Sequence, residues 1–424
     1  MRHRSALSNI QLLAHAATLV LLALPDTGLA ISLQQAEQMA LQADPVINSH
    51  MATSRSYDQE ATANGTLPDP KLRLGMFNVP LDSFSTTEDP STQLRIGVQQ
   101  EFPRGDTTDL KQQQSKWLAQ AALAEANDEK LKLLLNVRDV YLNLYYEIRA
   151  GIIVNETRKL FAKLVKITED QYAAGRVNQQ DVIRADLELS RLDDRATKIR
   201  ANEDEYRAQL AQWLGDVAWR DIDDSLPMLP DVQDSVDINE VLTRHPAVIA
   251  QTARVEASKT MIEVTRQDYK PGVGAFVEYR KRFGENSDGS DRSDMMAAMV
   301  TVDIPLFTEN RQDRNVAARE ERARAARYSR DDTLRVLKRK LEKDRAVYKR
   351  LGERELLYKN KLISSASSNA KASLNAYQSG VTEFTTLMRA GITELDVRLE
   401  NLRIKVDRLR TRARLLYITG DSTS

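Results

Sequence analysis

Apolar residues recur along much of the chain at the spacing of a helix seam. Between residues 106 and 172 helix-compatible sequence is interrupted only by Gly151, and Leu134, Val137, Tyr141, Leu144 and Ile148 follow one another by steps of 3, 4, 3 and 4. That spacing puts them on one helical face. A second such stretch runs from about Asn310 to Tyr377, with Leu334, Leu337, Leu341, Tyr348 and Leu351 in similar register. Leu395, Leu399, Leu402, Val406, Leu409, Ala413 and Leu416 then alternate steps of 4 and 3, as in a coiled-coil seam. At 1.5 Å per residue, helices of roughly sixty residues reach on the order of 100 Å, more than a compact domain needs. Their other faces are crowded with Arg, Lys, Glu and Asp, for which solvation is the expected role.

In four shorter segments the period falls to two. Gln93 to Phe102 sets Leu94, Ile96, Val98 and Phe102 against Gln93, Arg95, Gly97, Gln99 and Glu101, with Gln100 as the exception. Lys71 to Val79 starts in the same way, with Leu72, Leu74 and Met76 against Lys71 and Arg73, and then loses the alternation. Val273 to Phe283 sets Val273, Ala275, Val277 and Tyr279 against Phe276, Glu278, Arg280 and Arg282; Met295 to Ile304 sets Met296, Ala298, Val300, Val302 and Ile304 against Thr301 and Asp303. Strands of about 9 to 11 residues suit a tilted membrane-spanning β-strand. Taken alone, a small soluble sheet with one wet face fits them too. The connections Pro80 to Ser91 and Gly284 to Asp294 are polar and acidic, as exposed hairpin loops are.

The elements occur twice. Asp44-Pro45 interrupts an opening helical stretch, Ser32 to Ala63, and His245-Pro246 recurs 201 residues later; Phe102-Pro103 and Ile304-Pro305 lie 202 apart, and Gly215-Asp216 and Gly420-Asp421 lie 205 apart. The most informative pair is Gln171 to Leu187 and Ala376 to Ile392, in which Tyr172 and Gly175 of one copy match Tyr377 and Gly380 of the other. Each glycine stands where a helix wants a left-handed terminal residue, so each copy reads as the tip of a long helical hairpin. The expected organisation is a signal segment 1–30, a first repeat 31–216 with strands near 71–79 and 93–102 and a hairpin 106–215, a linker 217–235, a second repeat 236–420 with strands near 273–283 and 295–304 and a hairpin 310–419, and a tail 421–424.

Composition changes this picture at three points. The 424 residues carry 61 basic and 61 acidic side chains, so no charge excess recruits nucleic acid. Cysteine is absent, which removes disulfides, thiol nucleophiles, thiolate metal sites and a lipid-modified cysteine together. Arg2 and Arg4 precede an apolar run from Leu12 to Pro25 that ends in Gly28 and Ala30, the layout of a cleaved export signal, which would start the mature chain near Ile31. Beyond it no run of about 20 apolar residues could cross a membrane as a helix.

If the strands lie in a bilayer they must close, because unpaired backbone groups in hydrocarbon cost several kcal/mol each. Four strands are too few for a lumen, since single-chain barrels begin at about eight; a symmetric trimer would pool twelve, with the hairpins continuing as a helical tube. At this point the chain resembles a family. SLQQAEQMALQADPVI (Ser32 to Ile47), LPDPKLRLGMFNVP (Leu67 to Pro80), the QEFPRG and DIPLF strand ends and both tips, in this order, resemble the TolC-type outer-membrane efflux proteins over nearly the whole mature length. The PDPKL, NVP and QEFPRG run is most similar to the branch serving heavy-metal pumps of the resistance-nodulation-division type. The resemblance implies an α+β membrane protein, a homotrimer with a twelve-stranded β-barrel in outer-membrane lipid and an α-helical tunnel through the periplasm. It further implies a periplasmic adaptor (membrane fusion protein) and an inner-membrane pump as partners, no cofactor and no enzymatic activity. Copper, silver, cobalt, zinc or cadmium ions would be the cargo. A conduit for polypeptide (type I) secretion or drug efflux is the alternative of the same class, and a periplasmic coiled-coil adaptor or scaffold that of another.

Within that resemblance, Tyr172, Gly175, Arg176, Tyr377, Gly380 and Val381 are the expected adaptor-docking tips, and Asp181, Arg184, Thr386 and Arg389 the candidate aperture. Family members often place acidic residues where this chain has Thr386 and Arg389, so a purely acidic rim is not expected here. Other constellations are weaker. His50 and His245 read as helix-surface residues rather than metal ligands. Met295, Met296 and Met299 offer soft sulfurs, yet strand packing explains them more simply. Gly272-Val-Gly274 lacks the third glycine and following helix of a dinucleotide loop.

Overall fold

The computed structural model describes residues 30–231 and 238–420. The expected export signal, apart from Ala30, lies outside them, as do residues 232–237 of the inter-repeat region and the tail 421–424. The element order is duplicated. Helices α1 (Leu33–Ala43) and α2 (Pro45–Asn64) lead into strands β1 (Lys71–Phe77) and β2 (Gln93–Phe102), then α3 (Thr107–Ala173) and α4 (Gln179–Leu214). The second set is α5 (Ile238–Thr243), α6 (Pro246–Arg266), β3 (Gly272–Arg282), β4 (Met295–Asp303), α7 (Gln312–Leu357), α8 (Ile363–Gln378) and α9 (Phe384–Thr419).

Local chemistry sets the helix starts. Ser32 and Gln35 form a reciprocal capping box. Asp44 accepts the Ile47 amide at 2.8 Å with Pro45 in the first turn, an arrangement that needs no donor from proline. Its counterpart is His245, whose Nδ1 accepts from the Ala247 amide at 3.2 Å ahead of Pro246. Here the surface expectation is corrected: His245 is fully buried, because a cap at this point is overlaid by Tyr417, whose carbonyl lies 3.0 Å from Nε2 and whose ring meets the imidazole edge-on at 5.1 Å. His50 is half-exposed, 3.6 Å from Glu125.

The 67 residues of α3 form one helix, and Gly151 does not break it. The second long stretch differs. It contains a wide π-turn at Tyr358–Leu362 between α7 and α8, which inserts a residue into the ladder and re-phases the buried stripe from Leu337, Leu341 and Leu351 to Ala366, Ser373 and Tyr377. Helix α9 is buried on two sides. Its seam residues Leu395, Leu399, Val406, Ala413 and Leu416 are joined in the interior by Ile404, Leu415 and Ile418, so α9 packs between α3 and the α7–α8 pair. The charges on α9 are therefore clamps as well as solvated groups: Arg410 grips Asp139 of α3 at 2.7 and 3.0 Å, Arg414 holds Asp344 at 3.0 Å and Arg408 holds Glu355 at 2.7 Å, both on α7.

The four strands form one antiparallel sheet in the order β1-β2-β3-β4. Leu74 faces Ile96, Ile96 faces Tyr279 and Tyr279 faces Met296 across the ladder, so the apolar positions of all four strands share one side. That side is open: Leu72 is 72% exposed, Val300 66% and Met296 78%. The polar side is sheltered along the middle strands, with Gln93 at 8% and Glu278 at 6%, and exposed along β1 and β4, at Arg73 and Thr301 among others. β1 and β4 are edges with no partner in the described chain.

Burial holds the His245 imidazole below its ordinary value of 6.5, against the opposing influence of the Asp128 carboxylate and the Tyr417 carbonyl. Below that pH the unfolded chain takes up a proton that the folded chain resists, so this contribution is complete above pH 6.5 and fades as pH falls. The purified protein should lose stability between about pH 7 and pH 5, by at most about 1.4 kcal/mol per pH unit from this group. His245→Asn, which keeps a capping side chain, should be less stable at neutral pH and should flatten that profile in denaturant titrations; an unchanged slope would exclude the histidine.

Candidate functional site

The two hairpin tips are built alike. In the first, α3 ends at Ala173 and Gly175 takes φ +69°; the Gly175 amide donates to the Tyr172 carbonyl and the Arg176 amide to the Gln171 carbonyl, both at 2.9 Å. In the second, Gly380 takes φ +73°, its amide donates to Tyr377 at 3.0 Å and the Val381 amide to Ala376 at 2.9 Å. Each is a Schellman closure, satisfying carbonyls that the helix end would leave bare. Nothing lies within 4 Å of a Cβ added at either glycine, so backbone conformation, not space, requires glycine there.

Past the turns the copies diverge. Tyr172 is 47% exposed, whereas Tyr377 is 8% exposed, its hydroxyl donating to Gln171 Oε1 of the first tip at 2.8 Å and its ring meeting Phe384 edge-on at 5.6 Å. Phe384 is itself buried, with Leu387 and Met388. Gln171 and Phe384 are the tip residues that sequence reasoning passed over. The signal was present: at the common offset of 205, Phe384 takes the place of Gln179, an apolar residue at the start of one return helix only.

Arg176 and Val381 are exposed at the turns. Asp181 sits half-buried in the first turn of α4, where a carboxylate complements the helix dipole. Thr386, its equivalent in α9, is exposed, as are Arg184 and Arg389. Within one chain the structure does not bring the charged aperture residues together: no ion pair among the described residues engages Asp181, Arg184 or Arg389. Each remains free to meet groups from outside the chain.

Behind the tips the hairpins lean on one another. Arg398 of α9 reaches Glu156 of α3 at 2.7 Å, and Arg195 of α4 reaches Asp396 of α9 at 2.9 Å. Between α3, α8 and α9 lies a groove of about 250 Å³ with Leu160, Phe161, Leu374 and Leu387 along it. Phe161 covers Gly391, where an added Cβ would stand 3.0 Å from the ring. Among the described residues no helix is long and apolar enough to cross a membrane, and no group of three or more His, Cys, Asp or Glu could hold a metal ion.

Known structures share this architecture. The outer-membrane channel OprN superposes with a TM-score of 0.77 at 18% identity, over 92% of this chain and 89% of its own. The outer membrane protein VceC of Vibrio cholerae gives 0.75 at 18%, over 92% and 96%, and the Campylobacter jejuni CmeC outer membrane channel 0.77 at 13%, over 92% and 87%. No curated protein matches the chain by sequence. Residues 238–421 match the family described as outer membrane efflux protein, and the fold of the whole described chain is the one these channels adopt.

Proposed function

We propose that the chain is a TolC-type protein over nearly its whole mature length, and that three copies form the outer-membrane exit duct of a tripartite efflux system. The observation that carries this reading is the sheet: apolar side chains exposed along one whole face, charged ones gathered on the other, and two unpaired edges. That is the inverse of a soluble sheet and the pattern of a barrel wall in lipid. Twelve strands from three copies would close it, and the helical hairpins would continue the bore through the periplasm. Residues 31–216 and 236–420 act as tandem repeats joined by 217–235, after an export signal at 1–30. The tips, Tyr172, Gly175, Arg176, Tyr377, Gly380 and Val381, dock a periplasmic adaptor that links the duct to an inner-membrane pump. Asp181, Arg184, Thr386 and Arg389 line the mouth. A periplasmic adaptor or scaffold has no use for four strands with an apolar outer face.

Lysine at the bilayer midplane of a barrel costs about 2–4 kcal/mol. Val277→Lys, on the outer face, should therefore deplete the outer-membrane fraction of the protein and its heat-modifiable band. Thr301→Lys, on the opposite face, should leave both in place. Equal insertion of the two variants would refute the barrel. At the mouth, Arg389→Ser removes a bulky cation and should raise single-channel conductance in a planar bilayer; conductance equal to the parent would take Arg389 out of the aperture. The cargo reading rests on the PDPKL, NVP and QEFPRG resemblance. Deleting the chain from its host should sensitise the cells to copper, silver, cobalt, zinc or cadmium salts, and sensitivity confined to organic drugs would reassign the pump.

A further inference from the structure

The polar face of the sheet holds an arrangement of charge that a passive wall does not need. By register Arg73 of β1, Arg95 of β2 and Glu278 and Arg280 of β3 share that face. The Arg95 guanidinium lies 4.0 Å above the Phe77 ring and that of Arg73 lies 5.4 Å from the Phe276 ring, so both cations rest against aromatic faces. Phe276 in turn closes over Gly97, where a Cβ would stand 2.7 Å from its ring; only glycine leaves room for the aromatic. Glu278, 6% exposed, accepts from Arg280 Nε at 2.6 Å and lies 4.0 Å from Arg95 Nε. Two guanidiniums, Arg95 and Arg280, thus share one carboxylate, and Arg73 has no carboxylate partner among the described residues.

Along this face of the strands the balance is positive, Lys71, Arg73, Arg95, Arg280 and Arg282 against Glu101, Glu278 and Asp303, whereas the loops 80–91 and 284–294 beyond it are acidic, with seven carboxylates to Arg292. Towards the helices, Glu101 is paired with Lys71 at 2.7 Å and Asp303 faces Arg104 at 3.7 Å. At the other end the loop carboxylates Asp89 and Asp288 are exposed and turned into their own loops by Ser91 and Ser290. Along the hairpins the balance is again positive. Residues 107–214 hold 17 Lys and Arg against 17 Asp and Glu, but residues 312–419 hold 26 against 14.

We infer that the duct prefers anions, and that Arg73, Arg95 and Arg280 form the belt in its barrel segment that sets this preference. The inference rests on the barrel reading above, and gives it a cargo charge. Fixed charges lining a low-dielectric passage concentrate counter-ions and deplete co-ions. Guanidiniums resting against aromatic rings, as those of Arg73 and Arg95 do, retain N–H donors for carboxylate, sulfonate or phosphate groups. The favoured permeants are therefore organic anions, and a metal cargo crosses as a neutral or negatively charged complex rather than as a hydrated cation.

The test is the reversal potential of the purified full-length protein in a planar bilayer across a KCl gradient. The wild type should pass chloride in preference to potassium. Arg73→Gln with Arg280→Gln should lower the chloride-to-potassium permeability ratio by at least about threefold, and the shift should shrink as salt is raised and screening shortens. The Arg73→Lys and Arg280→Lys pair, which keeps the charge, should hold the wild-type ratio. Potassium preference in the wild type, or a glutamine variant with an unchanged ratio, overturns the inference while leaving the duct intact. Failure of the wild type to form any channel overturns the barrel reading, and this inference with it.

Discussion

The unpaired backbone along β1 and β4 is the constraint on which the rest of the molecule turns. An apolar face open over all four strands is unfavourable in water, and two free edges are unfavourable in hydrocarbon, where each bare amide or carbonyl costs several kcal/mol. A single copy can escape one of these penalties only by accepting the other. Joining β4 of one copy to β1 of the next removes both, and repetition of that head-to-tail contact closes a ring. The helices would continue the same contact. Near the sheet they neighbour one another in the order α2, α3, α6, α7, and towards the tips in the order α4, α3, α9, α8. The open helical edges thus lie on the same two sides as the open strands.

Within one copy the central helices carry the packing. From Tyr141 to Tyr145 every residue of α3 is buried, which a helix tolerates only when it is enclosed. Enclosure also forces polar groups inside. Glu37 and Arg138, both about 3% exposed, meet at 2.6 Å, and Tyr141 donates to the Ile31 carbonyl at 2.7 Å. A buried pair of this kind contributes little net stability, yet losing either partner would strand a charge at a cost of about 3–5 kcal/mol. Its effect is to hold α1 in register on α3. Ile31 is further pinned by a parallel bridge to Ile222, so the start of the described chain and the connection between repeats are tied at one level.

Much of this could be read from the sequence because period and repetition are strong signals. The alternation from Gln93 to Phe102 gave β2 its limits, and the positive φ at Gly175 and Gly380 follows from glycine at a helix end. What stayed hidden depends on neighbours. Nothing local in Tyr358–Leu362 distinguishes a π-turn from an α-turn, because the extra residue is accommodated by packing against α9. His245 reads as a surface residue until Tyr417, 172 positions away, is folded over it. The arginines of α9 look solvated in a list of charges, and become clamps only when Asp139 and Asp344 are brought to them. At the tips, spacing located both turns but could not show that Tyr377 is buried while Tyr172 is exposed.

That last difference bears on how the tips can move. The ion pairs between the two hairpins behind the tips, Arg398 to Glu156 and Arg195 to Asp396, join partners of which each is more than a third exposed, and exposed pairs contribute only about 0–1 kcal/mol. Charge alone cannot hold the hairpins together. The stronger tie is apolar: Phe161, 1% exposed, lies on Gly391, with Leu387 and Leu395 buried beside it. Splaying the second hairpin from the first therefore means lifting Phe161 off the one position in α9 where the absence of a side chain lets it seat. The π-turn lies on the far side of this contact from the tip, where the ladder of the second hairpin, unlike the unbroken α3, already departs from the α-helix. Any movement that parts the two hairpins between that turn and the tips must break an apolar contact, which added salt does not weaken.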